Sequence, residues 1–366
     1  MMTAMQFLGG LLLLITGAEL LVRGASRLAA SVGISPLIIG LTVVAFGTSS
    51  PELAVSIQGA LNGQPGISLG NVIGSNIFNI LFILGLSAVI TPLVVAQQLV
   101  RLDVPLLIAV SLLVLIFSLD GMFDRIDGVV LFSALLFYLW FLVYQSRRES
   151  AAIKAEYAQE YSNGAGAAPG RMTNLSLVVG GLLLLILGSE WLVDSAVSIA
   201  HALGVSELII ALTIIAAGTS LPEVVTSIIA TLRGERDIAV GNIIGSNLFN
   251  IMGVLGLSSI VAPAGIEVSS AVVSFDIPIM IAVAFACLPI FFTGNRVDRF
   301  EGVLLLGYYL AYTLYLILAA SRHDALPRFS TVMLYFVIPL TLLTLAIITL
   351  RELRARNKQA SNQERS

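Results

Sequence analysis

Long apolar runs, each closed by a short cluster of Gly, Pro or charged residues, recur along all 366 residues of the chain. They can be read near residues 5–22, 36–61, 68–90, 104–119, 128–145, 175–200, 207–232, 238–262, 275–293, 302–320 and 332–350. Each is close to the roughly 20 residues a helix needs to cross a bilayer, so the pattern predicts eleven transmembrane helices. The first run has no Lys or Arg ahead of it and no obvious small-residue cleavage site, which favours a retained span over a removed signal peptide.

The pattern also repeats internally. A shift of 171 residues lays GGLLLLITGAELLV on GGLLLLILGSEWLV, AFGTSSPE on AAGTSLPE, and GNVIGSNIFNILFILGLS on GNIIGSNLFNIMGVLGLS. About half of the positions from Gly9 to Pro92 match without a gap, and further on LDVP answers FDIP and DRIDGVVL answers DRFEGVLL. Each copy holds five spans. Five is odd, so the second copy enters the membrane the other way up, which is the inverted-topology arrangement of many secondary transporters. The predicted fold is an all-α polytopic membrane protein. Its parts are a first five-helix repeat (1–145), a cytoplasmic linker (146–173), a second, inverted five-helix repeat (174–320), an extra transmembrane helix (321–350) and a basic cytoplasmic tail (351–366).

Composition agrees: 57% of residues are apolar and 11% charged, far from the quarter or so of charged residues in soluble domains. The net charge of -3 points to neither nucleic acid nor an acidic substrate. Its distribution says more, because Lys and Arg gather in cytoplasmic loops. With the N-terminus outside and the C-terminus cytoplasmic, sixteen basic residues (Arg23, Arg27, Arg101, Arg147, Arg148, Lys154, Arg171, Arg233, Arg236, Arg296, Arg299, Arg351, Arg354, Arg356, Lys358 and Arg365) fall inside. Three (Arg125, Arg322 and Arg328) fall outside. The lone Cys287 lies in an apolar run and reads as a small buried hydrophobe.

Two motifs carry chemistry. In AFGTSSPE, Pro51 removes a backbone N–H and its ring would strike the carbonyl of Gly47, so the helix must bend and free carbonyl oxygens beside Thr48, Ser49 and Glu52. Gly218, Thr219, Ser220, Pro222 and Glu223 repeat this in the second copy. A charged side chain deep in a span is costly and faces a cavity or a partner; the plainer alternative is a kink with a protonated, hydrogen-bonded glutamate. In GNxxGSNxFN, Asn71, Ser75 and Asn79, and likewise Asn242, Ser246 and Asn250, lie on one helical face, while Gly70, Gly74, Gly241 and Gly245 would let backbones approach. Interhelical hydrogen bonding is the simpler use of that face. Together the groups make an all-oxygen donor set, suited to hard cations and best to Ca²⁺, which accepts six to eight irregularly placed oxygens. Two carboxylates close together in a low dielectric repel, so an empty site should resist moving until one divalent or several monovalent cations neutralise it.

These residues resemble the calcium/cation antiporter superfamily, and within it the prokaryotic sodium/calcium exchangers, over about residues 5–320. The resemblance implies ten helices in two inverted halves, with broken second, third, seventh and eighth spans around the ions and the first and sixth sliding as a gating pair. Carried over, Ca²⁺ is held by Glu52 and Glu223 with the backbone carbonyls of Thr48 and Thr219. Flanking Na⁺ sites use Ser49, Ser75, Ser220 and Ser246 with the backbone oxygens of Ala45 and Ala216, and Asn79 and Asn250 complete the centre. Asn250 departs from relatives that carry an aspartate there, and the eleventh span lies outside the ten-helix core.

The expected function is Na⁺-driven Ca²⁺ extrusion across a prokaryotic inner membrane by alternating access, with H⁺-coupled divalent exchange as the alternative. The ions are substrates, the bilayer is the surroundings, and no cofactor or nucleic acid is expected. A channel could use acidic rings but conducts without a counter-ion. An enzyme needs a nucleophile with a base or a catalytic metal set, and His201 and His323 fall near loop ends instead. For Glu19 and Glu190, equivalent in the two copies, a packing or gating hydrogen bond is expected. Helix capping is expected of Asp103 and Asp276, each two residues before a proline, and plain solvation of Asp120, Asp124, Asp127 and Asp298.

Overall fold

The computed structural model describes residues 2–148, 171–204, 216–343 and 346. Within them the apolar runs form α1 (Thr3–Val32), a bent pair α2 (Pro36–Thr48) and α3 (Ser50–Leu61), α4 (Gly66–Ile90), α5 (Leu99–Phe117) and α6 (Arg125–Ser146). The second copy supplies α7 (Arg171–Ala202), α8 (Leu221–Leu232), α9 (Arg236–Val261), α10 (Val272–Phe292) and α11 (Arg299–Ala320), and α12 (Leu326–Leu343) follows. Nine of the described helices are long and apolar enough to cross a membrane, and the bent pair makes a tenth span. Residues 205–215, which include the first third of the expected seventh span, lie outside the described residues, as do 149–170 of the linker and the tail.

Two short antiparallel ribbons show how the copies sit. β1 (Leu93–Val94), after α4, pairs with β4 (Arg296–Val297), before α11; β2 (Met122–Phe123), before α6, pairs with β3 (Ile266–Glu267), after α9. By the repeat β1 corresponds to β3 and β2 to β4, so the two ribbons are one contact seen twice, related by the exchange of halves. Glycines allow the same reciprocity between helices. An added Cβ on Gly128 of α6 would meet the Gly256 carbonyl of α9 at 2.6 Å, and one on Gly302 of α11 would meet the Gly85 carbonyl of α4 at 2.7 Å. α1 and α7 cross as closely: a Cβ on Gly181 would lie 2.6 Å from the Leu21 amide nitrogen, and one on Gly188 2.8 Å from that of Leu14.

Burial separates the helices by content. An 18-residue apolar stretch of α9 is 100% buried and that of α4 72%, against 33% for α1, 6% for α11 and none for α12. The two spans carrying the Asn and Ser residues are thus the ones enclosed by protein, which is what hydrocarbon demands of polar groups. Outward faces carry large apolar side chains such as Leu12, Phe137, Trp140, Leu183 and Leu310, an apolar surface far larger than a water-soluble monomer tolerates. This is a multi-pass membrane protein. α12 packs on α11 through the Tyr308 hydroxyl, 2.7 Å from Thr341 Oγ1.

Several sequence expectations change here. The first helix runs ten residues past its predicted end, so Arg23 and Arg27 lie on α1 and not in a loop; the small residues of GASRLAAS keep the helical face narrow enough to go on packing. The third and eighth spans are not broken. They continue through π-helical turns at Asn79–Leu84 and Asn250–Leu255, a wider winding that often marks functional positions. Asp103 and Asp276 make no side-chain cap. Their backbones are already helical, so the carboxylates turn elsewhere: Asp103 accepts from Tyr138 of the next helix at 2.8 Å and from Gln98 at the start of its own at 3.2 Å, and Asp276 from Tyr312 of the next helix at 3.1 Å. Asp124, Asp127 and Asp298 are the real caps. Asp124 Oδ1 accepts from the Ile126 and Asp127 amides while Asp127 Oδ2 accepts from Asp124, and Asp298 with Glu301 forms the matching capping box.

Gly241 and Gly245 do bring α9 against α2, where an added Cβ would lie 2.7–3.2 Å from backbone atoms of Leu37, Gly40 and Leu41. Among the described residues nothing comes within 4 Å of Gly70 or Gly74.

Candidate functional site: a reciprocal glutamate pair

The site begins with two prolines. Pro51 stops α2 at Thr48 and lets α3 start at Ser50 with a bend of 46°, because its ring excludes a continuous helix. Ser49 sits in the break at φ -83°, ψ 9°, and Ser220 repeats it at φ -87°, ψ 7° ahead of α8. Each break puts a glutamate, Glu52 or Glu223, in the first turn of the next helix, where the positive end of the helix dipole favours an anion. Both glutamates are completely buried.

Partners cross between the halves. Ser220 donates to Glu52 Oε1 at 2.8 Å, and Ser49 donates to Glu223 Oε1 at 2.7 Å. Each carboxylate is therefore steadied by the serine three residues ahead of the other. Ser220 Oγ also lies 3.2 Å from Ser75 Oγ of α4, which brings that motif to the same place. One turn on, Asn79 Nδ2 donates to Asn247 Oδ1 of the opposite half at 3.4 Å. Thr48 and Thr219 join through Asn242 and Asn71, again across the halves. The Ala45 carbonyl accepts from the Ser49 amide at 3.0 Å and lies 3.4 Å from Thr48 Oγ1; Ala216 lies in the helical turn Ala216–Gly218 before the second break.

Several atoms remain open, most of them oxygens, with the amide nitrogens of Asn247 and Asn250 beside them. Glu52 Oε2, Glu223 Oε2, Asn76 Oδ1, Asn79 Oδ1, Ser246 Oγ and Asn250 Oδ1 are buried with no hydrogen-bond partner among the described residues. Buried polar atoms are normally paired, so two buried carboxylates that each keep an unpaired oxygen fit a cation that takes oxygen ligands. Asn76 and Asn247 escaped the sequence reading, which followed the four-residue spacing and passed over the residue beside each serine in GSN. Both are buried, and Asn247 meets Asn79.

A family model described as sodium/calcium exchanger protein matches residues 2–144 and 173–318. The chain belongs to this family. By family it is a cation/Ca²⁺ antiporter, a transporter. Among relatives, it is 41% identical to the putative antiporter CaxA of Alkalimonas amylolytica over 83% of this chain and 95% of that one. It is 30% identical to the sodium/calcium exchanger MaX1 of Methanosarcina acetivorans, again covering 83% of this chain and 95% of the other. The fold matches that of the sodium-calcium exchanger NCX_Mj, in a structure soaked with Na⁺ and Ca²⁺, with a TM-score of 0.73 and 31% identity over 88% of this chain and 98% of that one. The exchanger family thus accounts for the inverted halves and the doubled motif.

Glu19 and Glu190 part company, although the repeat makes them equivalent. Glu19 pairs with Arg23 on its own helix at 2.5 Å and with Arg233 beyond α8. Beside this pair, Ser26 donates to Glu235 at 2.8 Å. Glu190 is exposed, and the position matching Arg233 is Asn62, also exposed.

Proposed function

We propose that the protein extrudes Ca²⁺ from the cytoplasm in exchange for Na⁺, across a prokaryotic inner membrane, with its N-terminus outside. Ca²⁺ is held by the carboxylates of Glu52 and Glu223 and the backbone carbonyls of Thr48 and Thr219. Na⁺ uses Ser49, Ser75, Ser220 and Ser246 with the carbonyls of Ala45 and Ala216, while Asn79 and Asn250 line the centre. One observation carries the reading: each glutamate spends one oxygen on a serine of the opposite half and keeps the other buried with no hydrogen-bond partner found among the described residues. One Ca²⁺ neutralises the two charges, as do two or more Na⁺, and an unneutralised pair in low dielectric is too costly to move between faces. Exchange then follows without leak.

Two inverted halves also supply the motion, because exchanging their conformations opens a midplane site alternately to each face. Counter-ion choice is settled in everted membrane vesicles. Ca²⁺ uptake is expected to rise with an imposed Na⁺ gradient and to ignore a pH gradient in the absence of sodium. Uptake indifferent to Na⁺ but driven by pH would replace sodium with protons, which the same carboxylates can accept.

A further inference from the structure

Asn71 and Asn242 share a helical face with the ion-site residues, yet neither has an amide atom left over for an ion. Thr48 Oγ1 donates to Asn242 Oδ1 at 3.1 Å, and Thr219 Oγ1 donates to Asn71 Oδ1 at 3.4 Å, both bonds spanning the two halves. Each NH₂ group turns back into its own half. Asn242 Nδ2 donates to Ser227 Oγ at 3.0 Å; Asn71 Nδ2 donates to Ser56 Oγ at 2.9 Å and to the Glu52 backbone carbonyl at 3.1 Å. That carbonyl can only accept, which fixes the orientation of the Asn71 amide. The 171-residue shift maps one set onto the other, so the arrangement occurs twice.

We propose that Asn71 and Asn242 are positioning residues for ion binding: each grips the threonine hydroxyl in the opposite break and thereby sets the backbone carbonyl of that threonine. This rests on the reading above, in which those two carbonyls ligate Ca²⁺. It explains why a residue ligating through its main chain should carry a hydroxyl. Asn79 and Asn250, whose Oδ1 atoms have no partner among the described residues, differ from Asn71 and Asn242 in this respect.

The test is a cycle on purified protein in liposomes. Thr48→Val keeps the shape and removes the hydroxyl, and should raise the Ca²⁺ KM roughly tenfold with kcat changed less than about threefold. Thr48→Ser restores the donor and should stay within about threefold of wild type. Asn242→Leu should reproduce the KM loss and add little to Thr48→Val, because both remove one bond. An unchanged KM in Thr48→Val, or losses that multiply in the double variant, would overturn the proposal. Thermal melting of the ion-free variants reads the bond by itself, and coupling there with KM unmoved would make the grip merely structural, again against the proposal. Should Asn242→Leu fail to fold, Thr219→Val with Asn71→Leu runs the same cycle on the other copy. Failure of the ligand reading is seen separately, as exchange persisting in Glu52→Gln.

Discussion

Ca²⁺ exchange by Glu52→Gln is expected to fall about a hundredfold or more, with no loss of thermal stability. Glutamine has nearly the same shape and its Oε1 can still accept the Ser220 hydroxyl, so the cross-half bond at 2.8 Å survives. What disappears is a full negative charge on a ligand in low dielectric, and a hundredfold corresponds to about 2.8 kcal/mol. Folding should not suffer, since a neutral amide is cheaper to bury than a carboxylate. Glu223→Gln should behave alike, because Ser49 stands to it as Ser220 stands to Glu52. Flux into liposomes and a melting curve on the same preparation decide the matter; exchange near the wild-type rate would place the Ca²⁺ site elsewhere.

The α1–α7 crossing supplies the second large effect. Gly10, Gly17 and Gly24 recur every seven residues on α1, and Gly181 and Gly188 on α7, and added Cβ atoms at these positions would strike main-chain atoms of the other helix. No side-chain rotation relieves such a contact, so the helices must part. We predict that Gly181→Ala slows exchange about tenfold, in line with the 1–3 kcal/mol typical of overpacking. Ca²⁺ binding should change little, because neither helix carries a proposed ligand. Gly180→Ala is the matched control: nothing lies within 4 Å of its Cβ position, and alanine favours a helix. Radiolabelled Ca²⁺ binding and flux are measured on both variants. Equal flux in the two would mean that the pair need not stay close for transport, and the sliding role expected of it would fail.

Much of this was legible in the chain. Period and length gave the spans, and a repeat of five gave the inversion, since both are backbone-level constraints that a bilayer leaves no way around. The doubled GTSxPE located both breaks because proline acts through its own geometry. Other features depended on neighbours that a linear pattern does not name. Asp103 looked like a cap from its place before Pro105, but its backbone is helical and Tyr138, 35 residues away, takes the carboxylate. The π turns at Asn79 and Asn250 left no compositional trace. The boxes DRID and DRFE, by contrast, held a readable signal, an acid followed three residues later by another, which the assumption of simple solvation hid.

The Glu19–Arg233 bond has no counterpart on the opposite face, where the corresponding residues are Glu190 and Asn62. Two mirror-related end states cannot then be isoenergetic. An exposed ion pair contributes on the order of 0.2–1 kcal/mol, enough to tilt the resting occupancy by up to about fivefold. The machine is built from matching copies, yet one of its two doors has a bolt.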